Sequence, residues 1–214
     1  MPARQSIRRL PTILPRSGPI SSTPSRPPTR VPIANAGRST LPSMNHWLIK
    51  SEPDVFSIHD LAHAKARTTH WEGVRNYQAR NFLRAMKKGD RALYYHSNAT
   101  PSAVAGTVEI VREAYPDPTA WNPKSDYHDP KASADNPIWS MVDVRLVEIF
   151  AREVPLEELR GVAALKGMEL LRRGSRLSVH PVTKEQFEVI VRLAARPPES
   201  ASRKTAARPA RGRA

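Results

Sequence analysis

Apolar and polar positions along residues 44–195 switch between a period of two and a period of three to four, and the switches mark predicted elements. His46-Trp47-Leu48-Ile49-Lys50 predicts a first strand, ended by the breaker Pro53. Ser57 stands where an N-cap belongs, ahead of a short helix through Ala64 that buries Ile58 and Leu61. Asn76 is placed to cap a second helix from Tyr77 to about Met86, with Tyr77, Phe82, Leu83 and Met86 as its apolar members and Gly89-Asp90 as its stop. Residues 92–96 and 103–111 read as strands separated by the turn-forming Ser97-Asn98-Ala99-Thr100-Pro101. Residues 116–137 make a long loop with five prolines, and such loops inside a domain are usually functional. Residues 141–147 alternate as a half-exposed strand. Helical segments at about 155–160 and 163–172, a strand at 176–179 and a closing helix at 183–193 complete the domain. This mixed order predicts an α+β domain with a small curled sheet, not a doubly wound parallel one.

Charge changes the picture less than its size implies. The chain of 214 residues carries a net charge of +14. Seven arginines without an acidic partner sit in residues 1–43, and residues 196–214 hold five Arg, Lys204 and Glu199. The stretch 44–195 has 21 basic and 19 acidic side chains, so the domain itself is nearly neutral. Both tails read as disordered, because Pro, Ser, Thr and Arg without a sustained period cannot bury enough surface to offset ordering entropy. For residues 1–43 three readings stay open: an over-extended gene start before Met44, a native disordered tail, or a transit peptide, against which the nine prolines argue. The C-terminal tail would attract phosphates without sequence preference or simply serve as a solvated end. There is no cysteine, which removes disulfides, thiolate zinc sites and cysteine nucleophiles together. No run of eighteen apolar residues exists, so no membrane span is expected, and the setting expected is cytoplasmic.

Catalytic patterns are weak. His59-Asp60-Leu61-Ala62-His63 has the histidine spacing of a zinc-protease helix, but Asp replaces the Glu of that motif and no third ligand follows. Glu157-Glu158 reads as a solvated helix face. No glycine-rich phosphate loop or Gly-x-Ser-x-Gly elbow occurs, and no cofactor is expected. The unusual feature is aromatic and amide residues at breaks in regular structure: Trp71-Glu72-Gly73-Val74-Arg75-Asn76-Tyr77 and Tyr94-Tyr95-His96-Ser97-Asn98. Nucleobase recognition needs this mixture of flat π-faces with paired donors and acceptors. A bland reading has the aromatics in the core and Asn76 as a cap.

Lys50-Ser51-Glu52-Pro53, Trp71-Glu72-Gly73-Val74-Arg75-Asn76, Tyr95-His96-Ser97 and Gly174-Ser175-Arg176-Leu177-Ser178-Val179 resemble, in this order, the signature of the EVE domain family. The resemblance covers residues 44–195. It implies a PUA-like fold, a curled β-barrel-like sheet flanked by helices, and a pocket for a modified base in DNA or RNA, modified cytosine above all. Carried onto this chain, it implies Trp71, Tyr95 and Trp139 as stacking walls, and Asn76, His96 and Ser97 as edge readers. Ser51 and Glu52 would add a hydroxyl and an acceptor, and Val74 and Leu177 an apolar slot for a methyl group. Lys50, Arg75, Lys131 and Arg176 would meet phosphates; the bland reading pairs Glu52 with Arg75 structurally and puts Trp139 in the core. The partner implied is DNA or RNA with a modified base, and no protein partner is indicated.

Three functions of different class follow from these residues. A non-catalytic base reader is favoured. An RNA-processing or nucleolytic enzyme on the same scaffold is the alternative. An interaction module without a base pocket would show Trp71 and Tyr95 buried with no cleft beside them.

Overall fold

The computed structural model describes residues 44–197. β1 (His46–Ser51) is followed by α1 (Ile58–His63), a 3-10 turn (Lys65–Arg67), β2 (Thr68–Trp71) and α2 (Tyr77–Ala85). β3 (Arg91–His96) and β4 (Ala103–Pro116) lead into a second 3-10 turn (Pro118–Trp121) and the long loop before β5 (Ser140–Pro155). α3 (Leu156–Arg160), two further 3-10 turns (Ala163–Leu165 and Glu169–Leu171), β6 (Val179–Val182) and α4 (Lys184–Ala194) complete the order. The strands form one sheet in the order β2-β5-β4-β3-β1-β6. β1 and β3 run parallel, and every other neighbouring pair is antiparallel. The α+β expectation stands, with one refinement: β2 and β6 are free edges, so the sheet stays open rather than closing like a barrel.

Each face of the sheet buries its own core. Ile49, Trp71, Tyr94, Val108 and Val144 pack beneath Ile58 and Leu61 of α1 and Ala79 and Leu83 of α2. Leu48, Leu93, Tyr95 and Phe150 pack on the other face with Leu159 of α3 and Ile190 of α4. Alternation along β1 and β3 makes this division, since successive strand residues point to opposite faces. The helices start where their caps dictate. Ser57 and Asp60 form a capping box, as do Thr183 and Gln186, and the Asn76 side chain accepts from Ala79 N–H. Each such cap contributes about 1 kcal/mol.

Several elements differ from the sequence reading. β2 was not predicted, because Thr68-Thr69-His70-Trp71 offers only one buried side chain to reveal it. β4 runs past its predicted end through mostly exposed or half-exposed residues, and β5 through a stretch in which buried Phe150 and Val154 stand among exposed neighbours. The predicted helix at 163–172 is two 3-10 turns broken around Lys166-Gly167. The predicted strand at 176–179 lies at Val179–Val182 instead. Pro181 is tolerated there because β6 is an edge that pairs only with β1. The two tails expected to be disordered lie outside the described residues, apart from Arg196 and Pro197.

His180 gives the fold a pH dependence. It is fully buried in β6, and its Nε2 has no hydrogen-bond partner among the described residues. Burial pushes its pKa from 6.5 down to about 4, against a smaller upward pull from the Pro181 carbonyl. The folded protein therefore refuses a proton that the unfolded chain accepts below 6.5. Stability should be complete above that pH and fall by about 2–3 kcal/mol as the pH drops toward 4. Urea denaturation at pH 7.5 and 4.5 checks this. His180→Phe should flatten the change in that interval, and an equally steep loss in the variant would rule the assignment out.

Candidate functional site

The parallel pair β1 and β3 ends with Ser51 beside His96, and the groups just beyond form a polar rim. Ser97 N–H donates to the Ser51 carbonyl at 2.8 Å, closing the two strand ends together. Ser51 Oγ donates to the Phe56 carbonyl at 2.7 Å, and the Tyr94 hydroxyl donates to the same oxygen at 2.8 Å. Burial pushes the Tyr94 phenol up to about 12, so it remains a donor at neutral pH. Glu52 is exposed and accepts from Asn98 Nδ2 at 2.7 Å. Asn98 holds φ at 54°, a left-handed conformation that Asn tolerates better than most residues. Trp71 reaches this rim through an edge-on contact with Tyr94, ring centroids 5.4 Å apart.

Strand parity decides which predicted residues meet. Tyr94 and His96 share a face with Trp71, whereas Tyr95 points into the opposite core. Trp71 and Tyr95 are therefore not walls of one slot, and that expectation is corrected. Both are buried, at 7% and 4% exposure. Parity along Tyr94-Tyr95-His96 was the available signal, since Tyr94, two residues before His96, belongs to its face. His96 is also committed. Its Nε2 accepts from Ile58 N–H at 3.1 Å, which leaves the proton on Nδ1, 3.2 Å from Glu153. It tethers the first turn of α1, and no ring nitrogen remains to read a base edge.

The Trp71–Asn76 segment clamps the long loop. Asp117, fully buried, accepts from Gly73 N–H at 3.0 Å and from Arg75 Nη1 at 2.8 Å. It also accepts from the Thr119 hydroxyl and N–H. Burial alone would raise the Asp117 pKa, but Thr119, Arg75 and Gly73 outweigh it and hold the carboxyl below its ordinary range. Arg75 further donates to the Tyr127 carbonyl and to Thr119 Oγ1. Its guanidinium is thus occupied within the protein rather than offered to phosphate, and its partner is Asp117, not Glu52. Gly73 holds φ at +77°, and a Cβ there would lie 2.8 Å from the Tyr127 ring. Trp139 is buried in a small cluster with Ala120 and Ala132, and its Nε1 donates to Asp129. It belongs to the loop's own core and does not join Trp71.

The other predicted residues scatter. Val74 is buried in the core that holds Trp71, and Leu177 packs partly against it. Asn76 is exposed, with its Oδ1 taken by Ala79 N–H. Lys50 points to the face opposite Ser51, because the two are strand neighbours; burial lowers its pKa, with Glu169 opposing. Lys131 is exposed in a turn closed by Asp129, and Arg176 is exposed just before β6. In the His59–His63 segment, Asp60 is engaged by Ser57 and His63 Nδ1 lies 2.7 Å from the His59 carbonyl. No group of three His, Asp or Glu placed to hold a metal ion occurs among the described residues. Surface cavities of about 680 Å³, around Arg67, Arg91 and Arg145, and about 600 Å³, around Lys166 and Arg172, lie away from the rim. Sequence reasoning missed Asp117, the Phe56 carbonyl and Tyr127, none of which stands in a periodic pattern.

The EVE domain family model matches residues 45–193. The chain belongs to the EVE domain family. Thymocyte nuclear protein 1 of Homo sapiens is 45% identical over 171 residues, covering 72% of this chain and 76% of the human protein. A crystal structure of a protein from Pseudomonas putida is 52% identical with a TM-score of 0.67, over 70% of this chain and 99% of that one. The crystal structure of human THYN1 in complex with DNA containing 5-methylcytosine is 46% identical with a TM-score of 0.69. It spans 72% of this chain and 99% of that one. The human protein is not named for a catalysed reaction. No helix among the described residues of this EVE domain is long and apolar enough to cross a membrane.

Proposed function

We propose that this EVE domain is a non-catalytic module that binds a modified nucleobase, 5-methylcytosine in DNA above all. One observation carries the reading: 46% identity, across essentially the whole domain, to human THYN1, solved with 5-methylcytosine-containing DNA. The rim supports it, because Ser51, Glu52, Ser97 and Asn98 offer hydroxyl, carboxylate and amide groups in one place, beside Trp71 and Leu177. In this reading Glu52 accepts from the exocyclic amine of cytosine, Ser51 and Ser97 complete the edge, and Asn76 Nδ2 and Arg176 serve the flanking strand. A base paired inside a duplex cannot reach the rim, so binding requires a flipped or single-stranded nucleotide. A cytoplasmic setting belongs to the same proposal for a cell in which DNA and cytoplasm share a compartment.

A second reading, an interaction module without a base pocket, is favoured by the burial of both Trp71 and Tyr95. Titration of the full chain with matched oligonucleotides carrying cytosine or 5-methylcytosine separates the two. Tighter binding of the methylated strand by about fivefold is expected, the scale of one buried methyl group. Glu52→Gln and Ser51→Ala should each weaken binding about two- to tenfold, the range of a lost hydrogen bond. Equal affinity for both strands would remove the base-reader reading, and product formation with divalent metal would make the domain an enzyme.

A further inference from the structure

We propose that the outer face of Tyr77 is a stacking platform for a second, unpaired base on the same nucleic-acid strand. This rests on the nucleic-acid reading above and adds a contact site to it. Tyr77 opens α2 and is 57% exposed, a large ring left in water on the first helical turn. The Trp139 ring lies 4.9 Å from it at an interplanar angle of 32°. The Arg80 guanidinium carbon lies 4.9 Å from the Tyr77 ring and 5.8 Å from the Trp139 ring. Neighbours on opposite faces of Tyr77 would stand about 10 Å apart, so Trp139 and Arg80 both back one side of it. More than half of the residue's surface stays in water, on the side these two neighbours leave uncovered.

The backing is rigid. Trp139 Nε1 is held by Asp129, and Arg80 donates to the Ile138 carbonyl and to Asn81. Arg75, itself bonded on every side, lies 5.6 Å from the Trp139 ring. A pre-organised aromatic face loses little entropy when a base settles on it. α2 contains Arg80 and Arg84 and no acidic side chain, so positive charge stands on the helix beside the ring; on the neighbouring loop exposed Lys124 and Lys131 are balanced by exposed Asp126 and Asp135. Tyr77 lies six positions after Trp71, at most about 20 Å of chain, so both sites lie within reach of one short strand.

The test uses the full chain and single-stranded oligonucleotides that carry one 5-methylcytosine and 2-aminopurine at successive flanking positions. Fluorescence should be quenched at one flanking position at least. Tyr77→Ala should abolish that quenching and weaken binding at least about fivefold on methylated and unmodified strands alike, leaving their ratio unchanged. Tyr77→Phe should preserve both. Unchanged quenching and affinity in Tyr77→Ala overturn the platform even if methyl preference is present. Loss in Tyr77→Ala without any methyl preference in the parent protein upholds the platform and removes the base reader. Failure to bind any strand removes both.

Discussion

Gly106→Ala is expected to leave the domain unfolded at ordinary temperature. A Cβ at Gly106 would stand 2.2 Å from the Glu148 carbonyl oxygen and 2.4 Å from Ile58 Cδ1. The first of these is backbone of the paired strand and cannot swing aside as a side-chain end can. The close approach has a cause in the sheet. The β4–β5 register shifts between Val104 and Gly106, and the β3–β4 register shifts between Tyr94 and Tyr95, directly across from Gly106. Bulges bend a strand and bring backbones together, so glycine is needed where the bend closes. Relief would require β5 and α1 to move off together. The loss should exceed about 4 kcal/mol, beyond the usual range for a point substitution. Circular dichroism with urea titration measures it. A folded variant with near-parental stability would show that the bulge can relax. Because Ile58 N–H is the partner of His96, any partial shift should also disturb the rim around Ser51 and Tyr94.

Asp117→Ala should cost about 3–4 kcal/mol and release the long loop. The change leaves Arg75, four-fifths buried, without its counter-charge, and strips acceptors from Gly73 N–H and Thr119. Asp117→Asn keeps the shape and should cost less. Amide hydrogen exchange at Gly73 and Thr119 should accelerate in Asp117→Ala while β1 and β3 stay protected. Unchanged exchange would mean that the loop is held by its Trp139 cluster alone. The same carboxyl has a depressed folded pKa, so its contribution is fully present above its unfolded value of about 3.9 and is lost as the pH falls through the lower folded value. This acid limb lies below the His180 interval, and the two should be separable in one pH series.

Much of the scaffold was legible. Ser57 and Asn76 were readable as caps because capping is settled within four residues. The first strand and the alternating 141–147 segment were readable from period alone. β2 was not, since an edge strand of four residues carries too few buried positions to show a period. The site was legible in part. Ser51, Glu52 and Ser97 do meet, through the parallel pairing of β1 with β3. Tyr95 was placed on the wrong face, where parity along β3 already separated it from His96. Arg75 looked like a phosphate contact only because its partner, 42 residues away, was invisible.

By itself the sequence determined a nearly neutral α+β domain between basic tails, its helix starts, most of its strands and its family resemblance. These depend on local propensity, capping and ordered short motifs. The tertiary structure decided the rest: the open sheet order, the bulge at Gly106, the buried Asp117 that ties Gly73 to Arg75, and the exposure of Tyr77. The physical reason is that cross-strand register and loop docking join residues tens of positions apart. No window of the chain is long enough to contain both partners.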